Sequence, residues 1–182
     1  MPGNLSKEEI VQQLFEVSNE LTHFSAEINS ELFFYQPADK WSVAQNITHL
    51  TTAAKSTIPA FKFPKFIIRL YVGKPNRPSR TYDELVAKYK LKLEQGGRAS
   101  GRFIPNPVLP AIGKEKILND FSRANSRLSA AIQAKWDDTK LDEYIAPHPL
   151  LGKITQRELC YFTIYHTWHH LAIIKERLKE KI

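Results

Sequence analysis

The chain has 182 residues, 42% hydrophobic and 25% charged, values that suit one globular domain with a sizeable core and exclude a low-complexity chain. No apolar run approaches the ~20 residues of a membrane span, and no basic stretch followed by an apolar core opens the sequence, so neither a membrane protein nor a secretory leader is expected. The net charge of +7 favours anionic partners, but the excess is dispersed and accompanies no known DNA-binding motif, which argues against nucleic acid and for a solvated basic surface.

The first expected helix opens at Ser6, with Glu9 three residues on as the other half of a capping box. Ile10, Leu14, Val17, Leu21, Phe24 and Ile28 follow at three- and four-residue steps and make one apolar stripe. Pro37 belongs to a polar loop beyond it. The second helix opens at Ser42, with Gln45 in the reciprocal position. It carries Val43, Ile47, Leu50 and Ala54 on its apolar face and is expected to stop at Pro59. Trp41, just before the cap, is placed to pack back on the first turn as a hydrophobic staple.

Residues 60–112 form a long excursion containing Pro64, Pro75, Pro78, Pro105, Pro107 and Pro110. Only Tyr82 to Leu93, opened by Thr81 with Glu84, reads as helical there. Connections of this length are uncommon unless functional or disordered. Phe61, Phe63, Phe66, Ile67 and Leu70 argue against disorder, so an ordered flap over one end of the fold is expected. Such a connection also lets the helices on either side of it run parallel.

The third long helix spans about Lys114 to Ala134, with Ile117, Phe121, Ala124, Leu128 and Ala131 as its stripe. The fourth opens at Thr155 with Glu158, another capping box, and continues to about Lys179. Its basic end, Lys175 to Lys181, complements the negative pole of the helix dipole. Four long amphipathic helices with almost no strand signal predict an all-α four-helix bundle over a single domain, residues 1–182. Cys160 is the one cysteine, so no internal disulfide forms and a reducing cytoplasm is the expected setting.

The fourth helix holds the most informative residues. His166 and His170 are four apart, so they share one helix face with Phe162 and Ile173. Two neutral imidazoles at that spacing can grip one metal ion. His49 sits two turns into the second helix, at the edge of its apolar stripe. Three core-facing histidines would be costly without a common partner, and one divalent ion satisfies all three. His169 points about 100° away from His170 and is read as a neighbour of the site or an interface residue, not a ligand. His23 and His148 have no partner pattern and are expected at the surface. Trp168, off the histidine face, suits either core or a homodimer interface.

The run Lys40-Trp-Ser-Val-Ala-Gln-Asn-Ile-Thr-His-Leu50 places a histidine seven residues after a Trp-Ser helix start. Pro149-Leu-Leu-Gly-Lys-Ile-Thr155 then precedes His166 and the His169-His170 pair. These blocks, in this order and with the long central excursion, resemble the DinB/YfiT-like superfamily of four-helix bundles. The resemblance spans nearly the whole chain. It implies a metal triad at His49, His166 and His170. Many members carry Gln three residues after the last ligand, where this chain has Ile173.

Three histidines leave a divalent ion with open positions, which is a feature of catalytic sites. Imidazole suits zinc or nickel first, with iron or manganese as further candidates. Such an ion polarises a carbonyl or acidifies a water, or takes a substrate thiolate directly. The resemblance accordingly implies a hydrolase or an S-transferase using a low-molecular-weight thiol, acting on a small molecule. A non-catalytic, metal-stabilised stress-response module is the alternative. The segment lacks the glutamate that follows the first histidine in zinc proteases, and neither Tyr165 nor Thr52 is singled out as a helper.

Overall fold

The computed structural model describes residues 4–38 and 40–179; the last residues of the basic C-terminal stretch lie outside them. Eight helices and one hairpin follow in order: α1 (Lys7–Glu27), α2 (Ser30–Phe34), α3 (Val43–Lys62), α4 (Lys65–Tyr71), α5 (Tyr82–Glu94), α6 (Lys114–Lys135), α7 (Asp138–Glu143), β1 (Ile145–His148), β2 (Gly152–Thr155) and α8 (Gln156–Lys179). The long helices α1, α3, α6 and α8 are the four predicted from periodicity, and they form a four-helix bundle. α3 packs along α6 and α8, and α1 packs along the same two helices.

The helix starts follow from local chemistry. Ser6, Ser42 and Thr81 each accept the backbone N–H three residues on, and Glu9, Gln45 and Glu84 reach back to the cap N–H. Thr155 and Glu158 make the same reciprocal pair at the head of α8. Each box satisfies donors that a helix N-terminus otherwise leaves orphaned. The α1 stripe Ile10, Leu14, Val17 and Leu21 is fully buried, worth about 1.5–3 kcal/mol for each large side chain.

The core has two apolar clusters. One gathers Leu14, Val17, Leu128, Ile132, Leu159, Phe162 and Ile164; the other gathers Leu21, Ile47, Leu50, Phe121, Leu171 and Ile174. Along α8, His166 and His170 fall between the residues given to the first cluster and those given to the second.

Several local expectations change. α3 does not stop at Pro59 but continues to Lys62. Pro59 lies on the exposed face, where its missing donor costs least, while Phe61 in the same turn is buried and holds the helix to the core. The excursion contains a second helix, α4, anchored by buried Ile68, and two 3-10 turns at Gly101–Phe103 and Pro110–Ile112. A short hairpin precedes α8, with His148 paired to Gly152. Gly152 takes φ 74°, the left-handed conformation that a tight three-residue hairpin loop requires. Trp41 packs two turns along its helix, its ring 5.0 Å from His49.

Two buried charges lock the head of α8. Glu158 is 0% exposed; it accepts from Arg77 at 2.8 and 2.9 Å, from Arg80 at 3.1 Å and from the Arg80 backbone N–H at 2.9 Å. Arg157 is 3% exposed; it donates to Asp142 at 2.7 and 3.0 Å, to Asp138 at 3.0 Å and to the Leu5 carbonyl. The excursion, α7 and the N-terminal segment are thus tied to one helical turn. Burial alone would raise the Glu158 carboxyl, but the Arg77 guanidinium and the Thr155 and Arg80 N–H groups overcome it and hold it below the usual carboxylate range.

A carboxyl depressed on folding stabilises the fold above its unfolded pKa of about 4.3, and the contribution is lost as pH falls through the folded value. Glu158→Ala should therefore lower stability in urea by about 3 kcal/mol at pH 7, because it strands two guanidinium groups. The loss of stability below about pH 4.3 should be shallower in the variant than in the parent.

Candidate metal centre

α3 supplies His49 and α8 supplies His166 and His170, and all three are buried. The distance from His49 Nε2 to His166 Nε2 is 3.0 Å, and from His170 Nε2 to His166 Nε2 it is 3.1 Å. The candidate ligand atoms of the three lie within 4.8 Å of one another. The predicted set therefore converges on one point, from two helices 117 residues apart at the closest pair.

The tautomers are set from outside the cluster. His49 Nδ1 faces the Phe103 carbonyl at 2.7 Å, an acceptor only, so this nitrogen carries the proton. His170 Nδ1 meets Asn46 Oδ1 at 2.7 Å. The Asn46 amide nitrogen is already committed to the Ser42 carbonyl at 2.8 Å, which fixes the oxygen toward His170. Both Nε2 atoms consequently present lone pairs to His166. One Nε2–H on His166 could satisfy only one of them, leaving the other without a donor. A cation at the centre removes the conflict. An ion about 2.0–2.1 Å from each nitrogen in tetrahedral geometry separates its ligands by about 3.3 Å, close to the spacing seen. The donor set fits a divalent ion, and the carbonyl and amide behind it are the outer partners that such histidines use.

The surroundings keep the rings neutral. Burial depresses His49 despite its bond to Phe103. Burial first, then the neighbouring histidines, hold His166 and His170 well below the usual imidazole range. Trp41 stacks on His170 at 6.2 Å with 5° between planes, and Phe162 stacks on His166 at 4.8 Å.

The triad forms part of the wall of a cavity of about 1230 Å³. α4 lines it with Phe63 from its N-terminal flank, Ile67 and Tyr71; α8 lines it with Leu159, Phe162 and Ile173. Ile173 is thus part of an apolar wall. His169 also lines the cavity but lies outside the cluster, its ring 5.4 Å from His170. Tyr165 and Thr52 do not line it; Thr52 bonds back to the Thr48 carbonyl. His23 is exposed as expected, and Trp168 is 41% exposed.

His148 overturns its surface assignment. It is half-buried in the cavity wall, its ring 4.1 Å from Phe162. No helical spacing connects it to the triad, because it belongs to the hairpin. Asn46 and the Phe103 carbonyl were also missed as orienting groups. Asn46 had a signal, three residues before His49 on the same side of the helix; a backbone carbonyl has none.

A neutral buried histidine stays unprotonated in the fold while its unfolded counterpart takes a proton below about pH 6.5. Stability is therefore full above that value and is lost as pH falls toward the depressed folded pKa values. In metal-stripped protein the urea midpoint should drop between pH 7 and pH 5. A variant carrying His49→Gln, His166→Gln and His170→Gln should show a clearly shallower drop over the same range.

Comparisons with known proteins bear on the fold and the family. YfiT from Bacillus subtilis, described as a probable metal-dependent hydrolase with an unusual four-helix bundle topology, is similar to this chain at 21% identity and a TM-score of 0.60. The match covers 100% of this chain and 92% of that one, and at this identity it carries the fold. No curated protein sequence matches. The family model described as the DinB superfamily matches residues 13–174, nearly the whole chain, and the chain therefore belongs to the DinB superfamily.

Proposed function

We propose that this protein is a metal-dependent enzyme that holds one divalent transition ion, zinc or nickel first, on His49, His166 and His170 and hydrolyses a small molecule bound in the adjoining cavity. The observation that carries this reading is the inward aim of two Nε2 lone pairs, fixed by the Phe103 carbonyl and Asn46, at a point bordering the cavity. When bound, the ion supplies Lewis acidity to a carbonyl or a water. The chain's own contribution is to hold three neutral ligands in place and to enclose the substrate. Trp41 and Phe162 flank the ligand rings and limit access of bulk water. The likeness to YfiT supports hydrolysis as the reaction type.

Thiol transfer is the second reading, favoured by the cavity's size. At about 1230 Å³ it exceeds the roughly 300–1,000 Å³ typical of a single small-ligand pocket, leaving room for two reactants. The thiol would come from solution, because Cys160 is fully buried and burial pushes its thiol far up.

Protein purified without metal-affinity resin should carry about one equivalent of a first-row divalent metal, and His49→Ala should lower this to under about a tenth. Absence of metal from the parent would end the proposal. Turnover of an ester and lactone panel that needs metal alone identifies the hydrolase. Consumption of an electrophile only when a low-molecular-weight thiol is added identifies the transferase.

A further inference from the structure

The charged groups on the cavity wall are one-sided. Among the described residues no aspartate or glutamate lines it, although the chain has 19 of them. Lys40, Arg98, Arg102 and Arg177 all do. The first three are exposed; Arg177 is half-buried, donates to the Trp41 carbonyl at 2.6 Å, and acts electrostatically on His170. Between these cations the wall is apolar, with Phe63, Ile67, Leu159 and Phe162. An apolar lining with a few fixed polar groups is how a site orients a largely apolar ligand. The sign of those groups selects an anion.

His148 adds a directed donor. Its Nδ1 accepts the backbone N–H of Leu150 at 3.2 Å and of Leu151 at 3.1 Å, in the hairpin loop. A ring nitrogen that accepts carries no proton, so the neutral imidazole bears its hydrogen on Nε2. Burial pushes this histidine down to about 4, so the neutral form prevails at pH 7. Among the described residues nothing accepts from Nε2, and the residue lines the cavity. The Phe162 ring contacts both His148 and His166, stacking on the latter. An N–H that faces a cavity without a protein acceptor is open to a ligand's oxygen.

We propose that the cavity selects a mainly apolar molecule bearing a carboxylate or similar anionic oxygen group, and that His148 positions it by donating Nε2–H to one of its oxygens. His148 is a positioning residue, one aromatic ring away from the triad. It belongs to neither the ligand set nor its two orienting partners. The proposal rests on reading this cavity as the substrate site.

Calorimetric titration of the full chain with laurate and with dodecylammonium tests it, on metal-loaded and metal-stripped protein alike. Laurate should bind at least about tenfold tighter than dodecylammonium in both forms. His148→Asn keeps an acceptor for the Leu150 and Leu151 N–H groups but removes the Nε2–H. It should weaken laurate by about tenfold or more, the scale of a lost hydrogen bond to a charge, with an unchanged Tm. Ala53→Trp, which fills part of the cavity, should weaken both probes. Equal binding of the two probes overturns the anion selection. Unchanged laurate affinity in His148→Asn overturns the role of that residue. Unchanged affinity in a folded Ala53→Trp puts laurate outside the cavity and overturns the site. Absent metal, with stripped-form binding intact, would instead defeat the enzyme reading alone.

Discussion

The rotation of α8 about its own axis decides whether this chain has a site at all, and that rotation is set in the first turn. Arg157 and Glu158 are adjacent, so their side chains leave the helix about 100° apart. One is drawn to α7 and the N-terminal segment, the other to Arg77 and Arg80 of the excursion. Two buried charges pulling in different directions permit one orientation, since turning either from its partners would leave it desolvated and unpaired. Eight residues beyond Glu158, that orientation delivers His166 to His49. The apolar clusters on either side of the histidines give cohesion, but a hydrophobic face tolerates small rotations that a bidentate guanidinium pair does not.

The same logic, polar groups used where direction matters, recurs at the triad. His49 and His170 are each held from behind by one strong acceptor, a carbonyl in one case and an amide oxygen in the other. The acceptors come from different places: Asn46 from the helix that carries His49, and Phe103 from the excursion. Two of the three nitrogens are thus oriented by the fold itself, without help from an ion.

Much of this was legible in the residues. Four capping boxes marked helix starts because their chemistry is local: a side chain, a backbone N–H and three residues between them. His166 and His170 were legible because a helix converts a spacing of four into proximity. His49 joined them through its place at the edge of an apolar stripe. What escaped reading was non-local or backbone-borne. The Phe103 carbonyl has no residue identity to betray it. α4 has seven residues, too few for a periodicity to stand out beside Pro64. The hairpin is shorter still, and His148 owes its burial to where the hairpin packs, not to its neighbours in sequence. Pro59 misled in the opposite direction: a helix held to the core by Phe61 continued past a residue that local preference marks as its end.

Residue 103 does two jobs with different parts of itself. Its carbonyl fixes His49, while the residue also belongs to the cavity wall. The backbone half is indifferent to the amino acid present, so the wall can change identity there without disturbing the tautomer of His49. A lineage could exchange this position for large or small side chains, remodelling what the cavity admits, and inherit the geometry of the histidine triad intact. Insertions or deletions in the excursion enjoy no such freedom, because they move the carbonyl itself. Diversification of this site should therefore run through substitutions near the turn and avoid changes in its length.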